Sequence, residues 1–140
     1  MTYKQPRGFR NNNPLNIRKS PNHWQGKVQG PDPDFETFSS MLYGIRAAFV
    51  CVRSYIKRFR SLCITPTVSQ IIARWAPSSV NNTRAYITAV CRHSDNVLMS
   101  SSEIRFEDKE TVVLLLWCMS FVENGIDLPF VDFEQAYEMV

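Results

Sequence analysis

The feature that most constrains the fold of this chain is an almost unbroken apolar run from Val112 to Val122. A helix that is apolar on most sides must be buried on most sides, so the run predicts a central core helix. Charged residues 107–110 precede it, and it is well short of the roughly 20 apolar residues that a membrane span needs. Asn124 and Gly125 follow it, and both tolerate the left-handed conformation that closes a helix. We therefore expect a buried helix that ends at these two residues, and no insertion into a membrane.

Glu123 stands on the last turn of this predicted helix. A carboxyl group at such a place is partly desolvated by the core behind it, and desolvation favours the protonated form. A carboxyl group that keeps its proton near neutral pH is what a general acid requires. A solvated glutamate at a helix end is the more common interpretation of this feature taken alone.

The composition is that of an ordinary globular protein. Apolar residues make up 44% of the sequence and charged residues 21%, and 140 residues are enough to bury a core without disulfide or metal staples. No internal repeat or low-complexity linker divides the chain, so a single domain over residues 1–140 is expected. Its N-terminal residues lack the apolar segment of a cleaved secretory signal.

Local patterns predict a mainly α (α+β) fold. Apolar residues at three- and four-residue steps indicate a helix from about Ser40 to Arg60. Capping residues mark further helix starts, namely Thr67, Asn81 or Asn82, Asp108 and Asp132, and Ala76-Pro77 marks a helix end. Residues 1–38 are rich in Pro, Asn, Gly and Asp, which predicts loops and a small hairpin with β-prone pieces around residues 16–18 and 24–28.

The remaining ionisable and thiol groups point to no cofactor. The cysteines are expected to be buried free thiols because none is closely paired with another, and the two histidines are too scattered for a metal site. The basic stretch from Arg46 to Arg60 would suit an anionic polymer, either nucleic acid or bacterial wall. Its basic residues interleave with core positions, however, which favours a solvated helix face, and no nucleic-acid partner is expected.

Two further segments combine polar and aromatic residues. Asn11-Asn12-Asn13 lies before Pro14 in the first, where amides either satisfy their own turn or bind sugar hydroxyl and acetamido groups. The second, from Trp75 to Tyr86, places an aromatic ring at each end of a predicted helix junction. Such rings with polar rims are common sugar platforms, although on spacing alone core packing and a helix cap are the favoured explanation.

These segments also carry a resemblance that extends, in order, over nearly the whole chain. The matching pieces are residues 10–18, 24–26, 35–47, 71–77, 81–86 and 123–125. Together they resemble a family of small phage and prophage proteins, described as virion-associated or structural and related to lysozyme-like peptidoglycan-cleaving domains. The resemblance implies a lysozyme-like helical domain with a small β-hairpin region near the N-terminus.

The order of the pieces differs from that of lysozyme-like transglycosylases and glucosaminidases. There the catalytic glutamate ends an apolar helix, and an Asn-rich turn and small β region follow it. Here the helix with Glu123 comes last and the turn at residues 11–16 comes first. The resemblance therefore implies a circular permutation of that fold, which is tolerated where chain termini lie close together. The chain departs from the family at Val80, where a glutamate is frequent, at Leu15, where a glycine is common, and after Gly125, where Pro-Tyr is usual.

The resemblance implies cleavage of the β-1,4 glycan of peptidoglycan, as a muramidase or a lytic transglycosylase, with Glu123 as the acid. Most glycosidases add a second carboxylate about 5 to 9.5 Å away. Glu36 is the candidate, although its alternation with Phe35 and Phe38 is also typical of a strand with one wet face. A lytic transglycosylase needs no second acid because the substrate's own 6-hydroxyl attacks, and this variant fits the sequence slightly better.

The same interpretation assigns substrate-binding residues and partners. Tyr86 is expected to hold the acetamido group or the catalytic glutamate, Trp24 and Trp75 to stack on sugar rings, and the polar residues Asn13, Asn16, Asn82 and Thr83 to bind sugar. The protein is expected to be made in the bacterial cytoplasm and to act at the cell wall or in the periplasm, delivered by a virion or a secretion system. The alternative is a catalytically inactive lysozyme-like structural or wall-binding protein of a virion or secretion apparatus, to which the missing acid at Val80 points.

Overall fold

Residues 4–140, which the computed structural model describes, form six helices and one small antiparallel sheet. The first three residues of the predicted N-terminal loop lie outside this range. The helices are α1 (Arg7–Arg10), α2 (Met41–Ser61), α3 (Val68–Trp75), α4 (Thr83–His93), α5 (Lys109–Asn124) and α6 (Phe130–Glu138), and the strands are β1 (Lys27–Val28) and β2 (Thr37–Phe38). The prediction of a mainly helical chain with a small sheet is confirmed.

Three helices begin at capping residues that the sequence predicted, and α2 begins directly after Ser40, its predicted start. The side chains of Ser40, Thr67, Asn82 and Asp108 each accept a hydrogen bond from a backbone N–H in the first turn of α2, α3, α4 and α5. Thr67 and Gln70 form a reciprocal capping box. The predicted cap at Asp132 is wrong, because α6 begins at Phe130 directly after Pro129 and has no side-chain cap.

Helix α5 runs through the core, as its apolar run predicted. Residues on several of its sides, including Val112, Leu115 and Met119, are fully buried. It packs against α4 and α6, while α2 packs against α6. None of the helices within residues 4–140 combines the length and the apolar character that crossing a bilayer requires.

The N-terminal region is more structured than the sequence suggested. Residues Arg7–Arg10 form a helical turn, where the sequence predicted only loops and a hairpin. The hairpin pairs Lys27 with Phe38, whereas the predicted β-prone piece at residues 16–18 contributes a single bridge between Arg18 and Phe35. This region therefore frames one side of the core with turns and short bridges.

An ion pair anchors the loop before β2. The Arg7 guanidinium donates from Nε to Asp32 Oδ2 at 2.5 Å and from a terminal nitrogen to Asp32 Oδ1 at 2.6 Å, and Asn11 Nδ2 adds a bond of 2.9 Å. The bond from Arg7 is the largest of the effects that hold the pKa of the Asp32 carboxyl well below its usual range. The loop is thereby fastened to α1.

The cysteines are free thiols, but they do not share one environment. Cys118 is buried on α5, Cys51 and Cys91 are partly buried, and Cys63 is exposed after α2. Burial raises the pKa of the Cys118 thiol to about 12 and that of Cys51 to about 11. The expectation of four buried thiols is therefore wrong for Cys63.

Candidate active site

Glu123 lies on the last turn of α5 with both carboxylate oxygens hydrogen-bonded. Asn16 Nδ2 donates to Oε1 at 2.8 Å, and the Tyr86 hydroxyl donates to Oε2 at 2.8 Å. The side chain is partly buried, as its place at the end of a core helix predicted. Two neutral donors, one from the Asn-rich turn and one from α4, thus fix the orientation of one carboxyl group.

The Asn-Pro turn is tied directly to the end of the helix that carries Glu123. Asn124 Nδ2 donates to the Pro14 carbonyl at 2.7 Å and to the Ser120 carbonyl at 2.8 Å. Asn16 adopts a left-handed backbone with φ of 55°, a conformation that asparagine tolerates better than most residues. Gly125, with φ of 74°, closes α5 as predicted. These local conformations bring the Asn16 amide within reach of Glu123.

Close packing at Gly8 supports the same arrangement. A Cβ at this position would stand 2.5 Å from Asn124 Oδ1 and 3.1 Å from Asn16 Oδ1. Both amide oxygens are buried without a hydrogen-bond partner among the described residues. Only glycine leaves room for these two side chains beside α1.

Tyr86 is a fixed hydroxyl donor. Burial is the largest of the causes that raise its pKa well above the ordinary value, and the adjacent Glu123 charge acts in the same direction. The hydroxyl therefore stays protonated at neutral pH and donates to Glu123, with the Met119 carbonyl as a more distant second acceptor at 3.4 Å. Of the two contacts predicted for Tyr86, the structure shows the one to Glu123, while a role in catalysis or sugar binding stays a prediction.

Glu123 opens into a surface cleft with a volume of about 420 Å³. The cleft lies between the Asn-Pro turn, the end of α3 and the junction between α3 and α4. Its lining includes Asn16, Trp75 and Asn81, and Val80 stands at its rim with 75% of its surface exposed. Within residues 4–140, Glu123 is the one carboxylic acid that lines it.

Comparison with known proteins gives one clear relationship. No family model matches the chain. Protein P5 of Pseudoalteromonas phage PM2 is 40% identical over 123 residues, which cover 85% of this chain and 71% of the phage protein. The chain belongs to the family of this phage protein. Membership in the protein P5 family confirms the bacteriophage association that the sequence resemblance implied, while the lysozyme-like relationship and glycan cleavage stay predictions.

Two of the residues predicted for the site of this protein P5 relative lie elsewhere. Asn13 is fully buried, donating to the carbonyls of Ile17 and Glu36 and accepting from the Ile17 N–H. Glu36 is 1% exposed and is paired with Lys27 Nζ at 2.9 Å, outside the cleft lining. The interpretation of Glu36 as the wet face of a strand is therefore wrong, because Lys27 of the neighbouring strand covers it.

The other predicted binding residues divide between the cleft and its surroundings. Trp75 lines the cleft and packs edge-on against Tyr55, with 6.1 Å between the two ring centres. Trp24 packs against the core, outside that lining. Asn82 is the exposed cap of α4, and the Thr83 hydroxyl donates to the Ala76 carbonyl. These last two residues shape the α3–α4 junction behind the cleft surface.

Sequence reasoning missed several residues that build the site. Asn124 was interpreted as a helix terminator, although its side chain also joins the helix to the Asn-Pro turn. Arg18 and Arg74 line the cleft, and although both lie within segments that carry the family resemblance, neither was predicted to belong to the site. The adjacency of Arg74 to Trp75 was the one signal that could have drawn attention to a charged cleft wall.

Proposed function

We propose that this protein cleaves the glycan strands of peptidoglycan, with Glu123 as general acid and then general base. The observation that carries the proposal is the placement of Glu123 in an open cleft, with Asn16 and Tyr86 each bound to one carboxylate oxygen at 2.8 Å. A positioned carboxyl group in an open cleft is the arrangement that acid catalysis of glycoside cleavage requires.

The proposal includes a lysozyme-like domain in circularly permuted order. A permuted domain must place its glutamate-bearing helix beside an Asn-rich turn that is distant in the sequence. The bonds from Asn16 to Glu123 and from Asn124 to Pro14 join such a helix to such a turn. These two bonds support a permuted lysozyme-like arrangement of this helix and this turn.

The number of carboxylic acids in the cleft favours the lytic transglycosylase variant. A hydrolase of the usual kind needs a second carboxylate to form a covalent intermediate or to activate water. In the described part of the chain the cleft offers Glu123 alone, while Glu36 is engaged with Lys27 elsewhere. One carboxyl group suffices when the substrate supplies its own nucleophile.

The proposed reaction proceeds in two proton transfers. Glu123 first donates its proton to the glycosidic oxygen as the bond from that oxygen to the anomeric carbon breaks. The 6-hydroxyl of the same sugar then attacks the anomeric carbon, and the Glu123 carboxylate takes up the hydroxyl proton. The products are a 1,6-anhydro sugar end and a free 4-hydroxyl end, and Glu123 regains its starting state. Tyr86 and Asn16 keep the carboxyl group in place through both steps.

A second function is a virion protein that binds the wall without cutting it. The observation that favours it is Val80, because it stands at the cleft rim where the resembling family often carries a glutamate. In both cases delivery by a virion would bring the protein to the cell wall, in keeping with its membership in a phage protein family.

The test is digestion of purified peptidoglycan by the wild type and by Glu123→Gln, with soluble fragments identified by mass spectrometry. Gln keeps the size of the side chain and its hydrogen-bonding oxygen but cannot donate an acidic proton. Fragment release should fall at least about 100-fold. Glu110→Gln is the matched control, since Glu110 is an exposed acid on the first turn of the same helix.

The fragments decide between the alternatives. Anhydro ends released by the wild type and by Glu110→Gln would support the transglycosylase reaction, and reducing ends would indicate a hydrolase. Equal release by Glu123→Gln would remove Glu123 from the chemistry. No release by folded wild-type protein, combined with binding to the wall, would leave the non-catalytic function.

A further inference from the structure

Two arginines line the cleft from opposite parts of the chain. Arg18 follows the Asn-Pro turn and Arg74 lies on the last turn of α3, and both line the surface that contains Glu123. Among residues 4–140, no carboxylate lies within ion-pairing distance of either guanidinium group. The cleft therefore presents two cations that the fold itself does not neutralise.

Each of the two exposed guanidinium groups lies over an aromatic ring. The Arg18 guanidinium lies 5.3 Å from the centre of the Phe35 ring, and that of Arg74 lies 5.5 Å from the centre of the Tyr55 ring. Stacking on a ring restricts the guanidinium plane while its N–H edges stay available to a bidentate acceptor. Two arginines in such positions can each form a bidentate hydrogen-bonded pair with a carboxylate of a ligand.

The arginines are not needed to orient Glu123. Its oxygens already accept bonds from the neutral groups of Asn16 and Tyr86. A cleft built for a neutral polymer would need hydroxyl and amide partners and no fixed positive charge. The two cations thus call for an anionic ligand.

We propose that Arg18 and Arg74 bind carboxylates carried by the side groups of the glycan, so that the cleft selects an acidic glycan over a neutral one. This inference rests on the proposed function and specifies the substrate of the same site. The muramyl sugars of peptidoglycan carry a lactyl group, whose carboxyl is either free or extended by a peptide with carboxylates of its own. Chitin has the same backbone linkage and acetamido groups but no carboxylate.

A second cavity extends the cationic surface beyond the cleft. Arg74 also lines a small hollow of about 120 Å³ together with Tyr55, Arg58 and Leu62. Because Arg74 lines both, a side group held at Arg74 would lie next to this mostly apolar hollow, which Arg58 also lines. This surrounding suits a short peptide with small apolar side chains and acidic groups better than it suits a lactyl group alone.

The test measures binding rather than cleavage, in the Glu123→Gln background so that ligands stay intact. Calorimetric titration would compare peptide-bearing glycan strands, strands stripped of peptides but retaining free lactyl carboxyls, and chitin oligomers of matched length. Arg18→Gln and Arg74→Gln should each weaken binding of acidic strands about fivefold and leave chitin binding unchanged. Arg105→Gln is the matched control, because Arg105 is exposed, pairs with Glu103 at 3.8 Å and lies outside the cleft lining.

Each ligand has a distinct outcome. Tighter binding of peptide-bearing strands alone assigns the arginines to peptide carboxylates, and equal gains for both acidic ligands assign them to the lactyl group. Chitin binding as tight as that of the peptide-bearing strands would overturn the inference, and so would Arg18→Gln and Arg74→Gln variants that bind like the control. DNA binding with the same dependence on both arginines would also overturn it, as it would indicate attraction to any polyanion. This assay measures only binding, whereas the digestion of peptidoglycan measures cleavage. Failure of the inference and failure of the proposed enzymatic function are therefore distinguishable.

Discussion

Replacement of Asn13 by alanine tests whether this residue supports the site from within the core. The sequence suggested a sugar-binding amide, but the side chain is fully buried and makes three hydrogen bonds. Its Oδ1 accepts from the Ile17 N–H at 2.9 Å, and its Nδ2 donates to the Ile17 and Glu36 carbonyls at 2.9 and 3.0 Å. Alanine would remove all three bonds and offer water no route to the groups left behind.

The magnitude follows from those groups. The Ile17 carbonyl keeps a second hydrogen bond, which it accepts from the Glu36 N–H at 2.9 Å. Losing the bond from Asn13 at this carbonyl therefore costs little stability. The Ile17 N–H and the Glu36 carbonyl lose their Asn13 partners, and each buried unsatisfied group costs about 1 to 3 kcal/mol. We expect Asn13→Ala to lower the free energy of unfolding by about 4 kcal/mol, which corresponds to a melting temperature lower by about 10 to 15 °C for a chain of this size.

Urea and thermal denaturation followed by circular dichroism would measure the loss. Asn82→Ala is the matched control, since Asn82 is an exposed cap with a single bond to the Ala85 N–H at 3.1 Å and should cost about 1 kcal/mol. Equal costs for the two variants would refute the reasoning. An Asn13→Ala protein of wild-type stability that had lost glycan binding would return Asn13 to the role that the sequence suggested.

Two further predictions concern the contacts around the Asn-rich turn. Because the Arg7 bond holds the pKa of Asp32 below its usual range, the pair contributes stability that is complete above the ordinary aspartate pKa of about 4 and is lost as the pH falls toward the lower pKa of the folded state. Urea midpoints measured from pH 7 to pH 2 should show this loss, and Arg7→Gln should reduce it; an unchanged profile would contradict the assignment. Gly44→Ala, which in an exposed helix interior would stabilise by about 1 kcal/mol, should instead lower the melting temperature, because the added Cβ meets the Asn12 carbonyl oxygen with no room to spare. A higher melting temperature would show that the turn moves away freely.

The parts of the fold that depend on neighbouring residues were predictable from the sequence. The caps at Ser40, Thr67, Asn82 and Asp108 each act on an N–H in the first turn of their own helix, so the pattern is contained in a few consecutive letters. The apolar run of α5 likewise determines its burial without reference to any other segment. Glu123 was found for the same reason, since its position at the end of that helix is a local property.

The parts that depend on distant partners were not predictable in the same way. Glu36 has the alternation of a strand residue with a wet face, and its burial follows from Lys27, which belongs to the other strand of the hairpin. Asn13 and Asn16 are the same residue type in the same turn, yet the turn directs the Asn13 amide into the core and the Asn16 amide to Glu123. Arg18 and Arg74 come together only when α3 packs beside the Asn-Pro turn.

The bond between Asn16 and Glu123 has a consequence for the order in which the molecule is assembled. Its partners are 107 residues apart in the sequence, and the neighbouring bond from Asn124 to Pro14 spans 110. Closing a loop of that length costs about 4 kcal/mol of chain entropy, which is recovered only when the intervening helices have packed. During synthesis the turn emerges from the ribosome early, and it has no partner for these bonds until α5 has been made. Helix α2 also packs against α6, which is made after α5, so the core and the site are both completed only near the end of synthesis. Any activity of this protein therefore begins late in its folding.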